Sequence, residues 1–384
     1  MSEPLPADRP ERLDFQPAPG LTKLLLRNFF YGLLTLGFYR FWARTNLRRY
    51  LWGAVRLQDE PLEYTGTGRE LFVGFLIVLA VFIPVSIVYA GVQLFLAGDV
   101  PALAALDGLY FILLSLLITV AQFRARRYRL SRTLWRGIRA GQGGSSWVYL
   151  GRSALWLLAA ILTLGLCLPW ALADLARYRM QHSHWGSFQG DFAGTANQLV
   201  RPLAWVWVVL VSLSVWSAYQ FFTLPDGVER LAHFYKLAFT GALLPIFFIY
   251  FQIVWLRWYI DGLRLGPMRF KADFSVKKLF WNLALGALGL LVVIGILGML
   301  FFLTMGAAAA IPKPLLLLVF ALFVPVVWLG LRLGYYYLMF MPALRRVVLG
   351  VAVIGMEAAL QAQQAAPDQM RSGEGLADSF DVPL

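Results

Sequence analysis

Apolar residues in this chain run together rather than alternating. Residues 71–96, 108–123, 202–222, 237–256, 279–303 and 315–331 contain no charged side chain. As a helix the longest of these runs is about 39 Å long, enough to cross about 30 Å of hydrocarbon with tilt. Pro84 falls inside one run and predicts a kink, which neighbouring helices tolerate in a membrane by satisfying the freed carbonyl. Connectors at 97–107, 223–236 and 304–314 pair the runs into three hairpins. The pattern predicts an all-α, polytopic helical membrane bundle with about six full spans. Two further apolar stretches, 24–42 and 153–173, are shorter, and the first is broken by Arg27, Asn28 and Arg40.

Those two stretches carry an internal repeat. Leu34-Thr35-Leu36-Gly37 leads to Trp42-Ala43, Arg49-Tyr50 and Glu63-Tyr64-Thr65-Gly66-Thr67. A shift of 128 residues, without a gap, gives Leu162-Thr163-Leu164-Gly165, Trp170-Ala171, Arg177-Tyr178 and Asp191-Phe192-Ala193-Gly194-Thr195. The predicted organisation is a cytoplasmic, mobile tail over 1–22, a membrane unit over 23–140, a flexible Gly/Ser linker over 141–146 and a second unit over 147–278. A third hairpin with a C-terminal helix follows over 279–360, then a polar, disordered tail over 361–384. Phe270-Lys271-Ala272-Asp273-Phe274 faintly echoes Phe188-Gln189-Gly190-Asp191-Phe192, so the connector motif can predate the duplication. Gly286, Gly289, Gly295 and Gly298 either admit a close neighbouring helix or reflect the general abundance of Gly in membrane helices.

Charge sets the expected topology. Arginine concentrates in residues 40–70, 124–150, 257–278 and 332–346, which the positive-inside rule places in the cytoplasm. A conflict arises because 124–150 and 177–201 both look cytoplasmic, yet 153–173 lies between them. One resolution is re-entry: the chain turns near Thr163-Leu164-Gly165 and leaves on the side it entered, with arms of about ten residues or 15 Å. Residues 24–42 would do the same around Gly37, and Pro169 disfavours a continuous helix in the second copy. The other resolution is two ordinary spans and one loop that breaks the rule. Residues 1–20 lack a signal-peptide core, so the N-terminus is expected in the cytoplasm.

Composition agrees with lipid as the main solvent. The 384 residues are 59% hydrophobic and 14% charged, with mean hydropathy +0.65, against about 25% charged in soluble domains. The net charge of +13 sits in connectors beside spans, which argues against a nucleic-acid groove. The one cysteine, Cys167, excludes an intrachain disulfide framework and reads as a small packed hydrophobe. No phosphate-binding loop, zinc-protease or serine-hydrolase motif is present, and His182 with His184 lacks an accompanying ligand set. No catalytic residue, metal site or cofactor is therefore expected. The spans carry no ionisable side chain in their cores, which lowers the case for ion-coupled transport.

What remains is an Arg/Tyr/Trp layer at the inner surface. Arg49, Tyr50, Arg127, Tyr128, Arg136, Arg139, Arg177 and Tyr178 are candidate contacts for phosphate or anionic lipid headgroups. The bland alternative is an aromatic belt with positive-inside charge; the shared Arg-Tyr spacing in both copies speaks for a specific role. Thr35, Gly37, Trp42, Gly66, Thr163, Gly165, Pro169, Trp170 and Gly194 are candidate turn and anchor residues.

At Thr35-Leu36-Gly37, Trp42, Arg49-Tyr50, Tyr64-Thr65-Gly66 and Trp135-Arg136-Gly137-Ile138-Arg139 the chain resembles the YjgN-like family of bacterial inner-membrane proteins (domain of unknown function 898). The second copy keeps Pro169-Trp170 but has Cys167 where the first has Tyr39. The resemblance spans about residues 24–350 and implies a multi-pass inner-membrane protein, without a substrate or mechanism. The leading functional expectation is non-enzymatic transport or envelope lipid handling, with membrane lipids as partners. A scaffold that docks a cytoplasmic partner is the competing class, and a membrane-embedded enzyme comes third.

Overall fold

The computed structural model describes residues 10–223, 228–306 and 312–359. The expected tail over 361–384 and the tips of the connectors 223–236 and 304–314 lie outside the described residues. In chain order, β1 (Glu11–Arg12) and β2 (Asp14–Phe15) precede a short helical pair, α1 (Leu21–Leu34) and α2 (Arg40–Ala54). Strands β3 (Val55–Leu57), β4 (Glu60–Pro61) and β5 (Glu63–Tyr64) lead to the long pair α3 (Gly68–Phe95) and α4 (Val100–Ser131). Next come β6 (Thr133–Trp135), β7 (Ile138–Gln142) and a second short pair, α5 (Ser146–Leu162) and α6 (Leu168–Gln181). Then β8 (Ser183–Trp185) and β9 (Phe188–Phe192) introduce α7 (Ala196–Thr223) and α8 (Val228–Gly262). Finally β10 (Leu263–Leu265) and β11 (Met268–Ala272) precede α9 (Val276–Gly306) and α10 (Lys313–Gly334). A π-helical stretch, Tyr335–Phe340, joins α10 to α11 (Met341–Leu349), before β12 (Val351–Ile354) and α12 (Met356–Ala359).

The expectation of an all-α chain is corrected here: the basic stretches 40–70, 124–150, 177–201 and 257–278 each contain a β-hairpin, while 332–346 is helical. Each hairpin is made by a two-residue turn that needs backbone of the left-handed hand. Gln58-Asp59 (φ 50 and 61) and Arg136-Gly137 (φ 51 and 73) are positive at both central positions, the mirror-image turn that matches strand twist. Gly186 and Gly266, both at φ 54, open the Gly-Ser and Gly-Pro turns of the next two hairpins. Every hairpin then runs into a Ser or Thr at the start of a helix. Thr67 accepts from Glu70 N at 3.3 Å and Ser275 from Lys278 N at 3.4 Å, as N-caps do. At Thr195 the reciprocal contact is made, its N–H donating to Gln198 at 3.1 Å. Aligned on their turns, β9 and β11 match two residues away from the echo read in the sequence, so Phe188 corresponds to Met268.

The strands join into a ring. One sheet runs β1-β12-β11-β10-β9-β8-β7-β6-β5 and the other β2-β3-β4. Only Leu13 separates β1 from β2, and only Leu62 separates β4 from β5. Leu13 N donates to Val351 O at 3.1 Å and Leu62 N to Val55 O at 3.0 Å, so hydrogen bonding continues through both breaks. The segment 11–15 thus bridges β12 on one side and β3 on the other, and the antiparallel sheet closes without a free edge. Inside the ring, residues flanking the turns pack together: Leu57, Trp135, Trp185 and Leu265 before them, Ile138, Phe188 and Met268 after them. Trp135 and Trp185 lie 5.2 Å apart, centroid to centroid.

Closure fixes where the helices go. Every helical pair is inserted between two adjacent antiparallel strands, so both of its ends meet the same rim of the ring; the two-residue turns occupy the other rim. Among the described residues five helices are long and apolar enough to cross a membrane: Gly68–Phe95, Val100–Ser131, Ala196–Ser217, Val276–Leu303 and Phe323–Leu349. Their apolar windows are at most 11% buried, so their side chains face outward. The 35-residue α8 is not among the five. The expected outer loop 97–107 is mostly helix, because Asp99 caps α4 by accepting from Ala102 N at 3.0 Å.

The two short pairs turn at the predicted places. Leu36 and Gly37 (φ 50 and 90), and Leu164 and Gly165 (φ 50 and 82), adopt the left-handed conformation that ends a helix. Gly37 N donates to Gly32 O and Gly165 N to Ala160 O, each at 2.7 Å. Thr35 Oγ1 donates to Tyr31 O at 2.7 Å and accepts from Tyr39 N at 2.9 Å, so one hydroxyl ends α1 and steadies the start of α2. Thr163 repeats this with Ala159 O and Cys167 N. The arms are longer than the ten residues expected, about 21 Å for α1 and 25 Å for α5, because the helices continue down to the ring.

Two boundaries also change. Residues 11–12 and 14–15 of the expected tail are strand, and the expected linker 141–146 holds the end of β7, a three-residue connection and the first residue of α5, with Gln142 1% exposed. Among the four glycines of α9, a Cβ on Gly286 would fall 2.5 Å from Leu338 O and one on Gly289 3.1 Å from Leu338 Cδ1, whereas Gly295 and Gly298 face open space.

Candidate functional site

The repeated Arg-Tyr pair divides into two roles. Tyr178 Oη donates to Ser145 O at 2.9 Å and accepts from Ser145 N at 3.1 Å, tying the end of α6 to the residue before α5. Tyr50 Oη donates to Ala18 O at 2.6 Å and closes the base of α1 and α2 in the same way. The shared spacing is therefore explained by closure of each short pair. Arg49 Nη2 donates to Gly66 O at 2.9 Å, whereas Arg177 is exposed. A Cβ on Gly66 would meet Tyr64 Oη at 2.5 Å and Tyr128 Oη at 2.8 Å; one on Gly194 would meet the Phe192 ring at 2.6 Å. Both glycines leave room for an aromatic side chain. Trp42 and Trp170 are 38% and 44% exposed, and Pro169 lies in the first turn of α6.

The remaining candidates do not form one layer. Tyr128 is fully buried and donates to Glu70 Oε2 at 2.7 Å, while Arg132 bridges Glu70 Oε1 at 2.9 Å. Arg127 donates to Gly143 O at 3.1 Å and to Gly144 O. Arg139 sits in β7 opposite Leu134. Arg136 occupies a β-turn, its guanidinium 4.9 Å from the Trp135 ring, on the rim away from the helices. It cannot share a surface with Arg49 and Arg177.

A different group of residues lines a half-open space. A cavity of about 550 Å³ lies between α4, α5, α6 and α8. Its walls include Leu157 and Ala160 of α5, Leu168, Leu172 and Leu175 of α6, and Phe251 of α8. Polar groups are Ser115, Thr119 and Gln122 of α4, Tyr149, Ser153 and Trp156 of α5, Gln252 and Trp255 of α8, and Arg179 at the ring end of α6. The Ser and Thr hydroxyls are spent on their own helices: Ser115, Thr119 and Ser153 donate to carbonyls four residues earlier at 2.8–2.9 Å. Trp156 Nε1 donates to Asp174 Oδ2 at 3.0 Å, and Asp174 Oδ1 pairs with Arg152 at 3.1 Å. The corresponding bridge in the first short pair is neutral, Asn46 to Asn28 Oδ1 at 3.4 Å.

Positive charge collects at the ring end of this cavity. Arg179 lies 6.0 Å over the Tyr259 ring and donates to Leu175 O at 3.3 Å. Arg126, close by, donates to Ser183 Oγ at 2.7 Å and to Gln142 Oε1, and also reaches the Tyr259 hydroxyl. Among the described residues no carboxylate pairs with either arginine. The indole N–H of Trp255 is buried and has no acceptor among them either. The sequence reading missed Arg179, although Leu168, Leu172, Leu175 and Arg179 form one helical stripe. The repeat hid it: residues were selected because both copies share them, and the first copy has Leu51 at this position. His182 and His184 lie outside the cavity, packed against Gly144 and Gly141.

A ring of strands carrying long, outward-facing apolar helices defines a multi-pass helical membrane protein. The family model described as "Bacterial protein of unknown function (DUF898)" matches residues 17–378, and the chain belongs to that family. It is also similar to the "Inner membrane protein YjgN" of Salmonella typhimurium, 29% identical over 144 residues. That match covers 36% of this chain and 33% of the relative, so it spans about a third of the curated protein's length. No solved structure matches.

Proposed function

We propose that the protein handles a lipid-like amphiphile in the inner membrane, without catalysing its conversion. The ring of strands lies in the cytoplasm, where its arginine-rich connectors belong. Three long helical pairs cross the bilayer and return, giving six spans with α8 included. The short pairs α1/α2 and α5/α6 enter from the cytoplasmic side, turn at Thr-Leu-Gly and come back, which removes the conflict in the charge pattern. The observation that carries the functional reading is the cavity beside α5/α6. Its size falls in the range of small-ligand sites, about 300–1,000 Å³, and its walls are mainly apolar with a few polar groups. Native mass spectrometry of protein released from membranes tests it. Wild type is expected to retain a membrane amphiphile, and Ala160→Trp, which fills the cavity, is expected to release it. Retention that is identical in the two proteins sinks the proposal.

A further inference from the structure

The two short helical pairs are copies, yet the cavity lies beside the second, and a comparison of equivalent positions says what it takes. In the first copy the groove faces are filled: Leu21, Leu25, Leu47 and Leu51 pack around Tyr336, and Phe29 packs on Trp328 at 5.5 Å between centroids. In the second copy Leu25 is replaced by Ser153 and Leu51 by Arg179, and the facing helix α4 presents Ser115 and Thr119. The groove has thus been opened, and one cation has been added at its ring end.

From this geometry we infer that the second pair is a binding site for a single-chain anionic amphiphile, its carboxylate or phosphate held by Arg179 and its chain running along α6 toward the Thr163–Gly165 turn. The inference rests on the amphiphile reading given above and specifies the ligand class. The distance from Arg179 to Leu168 along the helix is about 16 Å, so one extended chain fits beside the stripe Leu175, Leu172 and Leu168. Arg126 adds positive potential behind Arg179, and no described carboxylate competes for either. A guanidinium can present two parallel N–H groups to either anion, which is why carboxylate and phosphate are both admitted. The first copy, with Leu51 in a packed groove, keeps a structural role only.

Delipidated full-length protein in detergent, titrated with hexadecanoate, hexadecyl phosphate or uncharged hexadecanol and read by native mass spectrometry, tests this. Wild type is expected to prefer at least one anionic probe over hexadecanol by about tenfold or more, the effect of one charged hydrogen-bonded contact. The better anionic probe identifies the headgroup. Arg179→Leu, which installs the residue of the first copy, is expected to erase that preference while hexadecanol binding persists; Arg179→Gln does the same if the leucine variant fails to fold. Equal binding of all three probes by wild type overturns the anionic inference and leaves the amphiphile reading standing. So does an anion preference that survives both substitutions. Binding of none of the three overturns both.

Discussion

Tyr178 and Tyr50 recur at one offset from Thr-Leu-Gly because each fastens the base of a short helical pair. Tyr178 makes two hydrogen bonds to Ser145, so Tyr178→Phe is expected to lower stability in detergent by about 1–2 kcal/mol, and Tyr50→Phe, with one bond, by less. Thermal unfolding of the two variants checks the order. At Gly66 a methyl group would strike the hydroxyls of Tyr64 and Tyr128, and Gly66→Ala is expected to cost about 1–3 kcal/mol in the same measurement. His184 gives a pH signature. Burial holds its pKa below the ordinary histidine value, so the unfolded chain takes up the proton first. Stability is then complete above about pH 6.5 and declines as pH falls through that value. His184→Asn is expected to flatten this part of the curve between pH 7 and 5; an unchanged slope assigns the decline to other groups. These roles were only partly legible. Gly37 announces a turn because few residues tolerate left-handed backbone, and Thr35 because its hydroxyl bonds neighbouring backbone. A tyrosine that closes a hairpin looks, in sequence, the same as one that meets a headgroup.

At the scale of elements, the short pairs are helix–turn–helix units that start and finish on one rim. With Cys167 replaced by Ala, single cysteines at the exposed positions 152 and 181 are expected to react with an impermeant thiol reagent from the same, cytoplasmic side of sealed vesicles. Labelling from opposite sides overturns the re-entrant assignment. The long helices could be read directly, since an uncharged run beyond about 18 residues has few alternatives. The strands could not. They are two to five residues long, and their interior residues, such as Trp135 and Phe188, are separated by turns that read as loops. The marks that could have revealed them were the turn dipeptides themselves, Arg136-Gly137 and Gly186-Ser187, each followed by a strand and a Ser/Thr cap. The repeat drew attention to what the copies share, whereas Arg179 and Ser153 matter because they differ from Leu51 and Leu25.

At the scale of the whole molecule, the strand ring organises five helical pairs and sets which of them are neighbours. Removal of residues 1–16 takes away β1 and β2 and exposes the edges of β3 and β12. The truncated protein is expected to insert in the membrane but to show faster amide exchange at Val55–Leu57 and Val351–Ile354, readable by hydrogen–deuterium mass spectrometry. Protection equal to that of wild type at both strands counts against the ring.

The same closure has a consequence for biogenesis. Segment 11–15 is made long before its partner β12, which begins at Val351, so the two can join only after the helices between them have been made. Throughout that interval all five helical pairs can enter the membrane while the seam stays open. Ring closure therefore follows synthesis of the helices, and a nascent chain stalled before residue 351 carries two unzipped edges, on β1 and on β11.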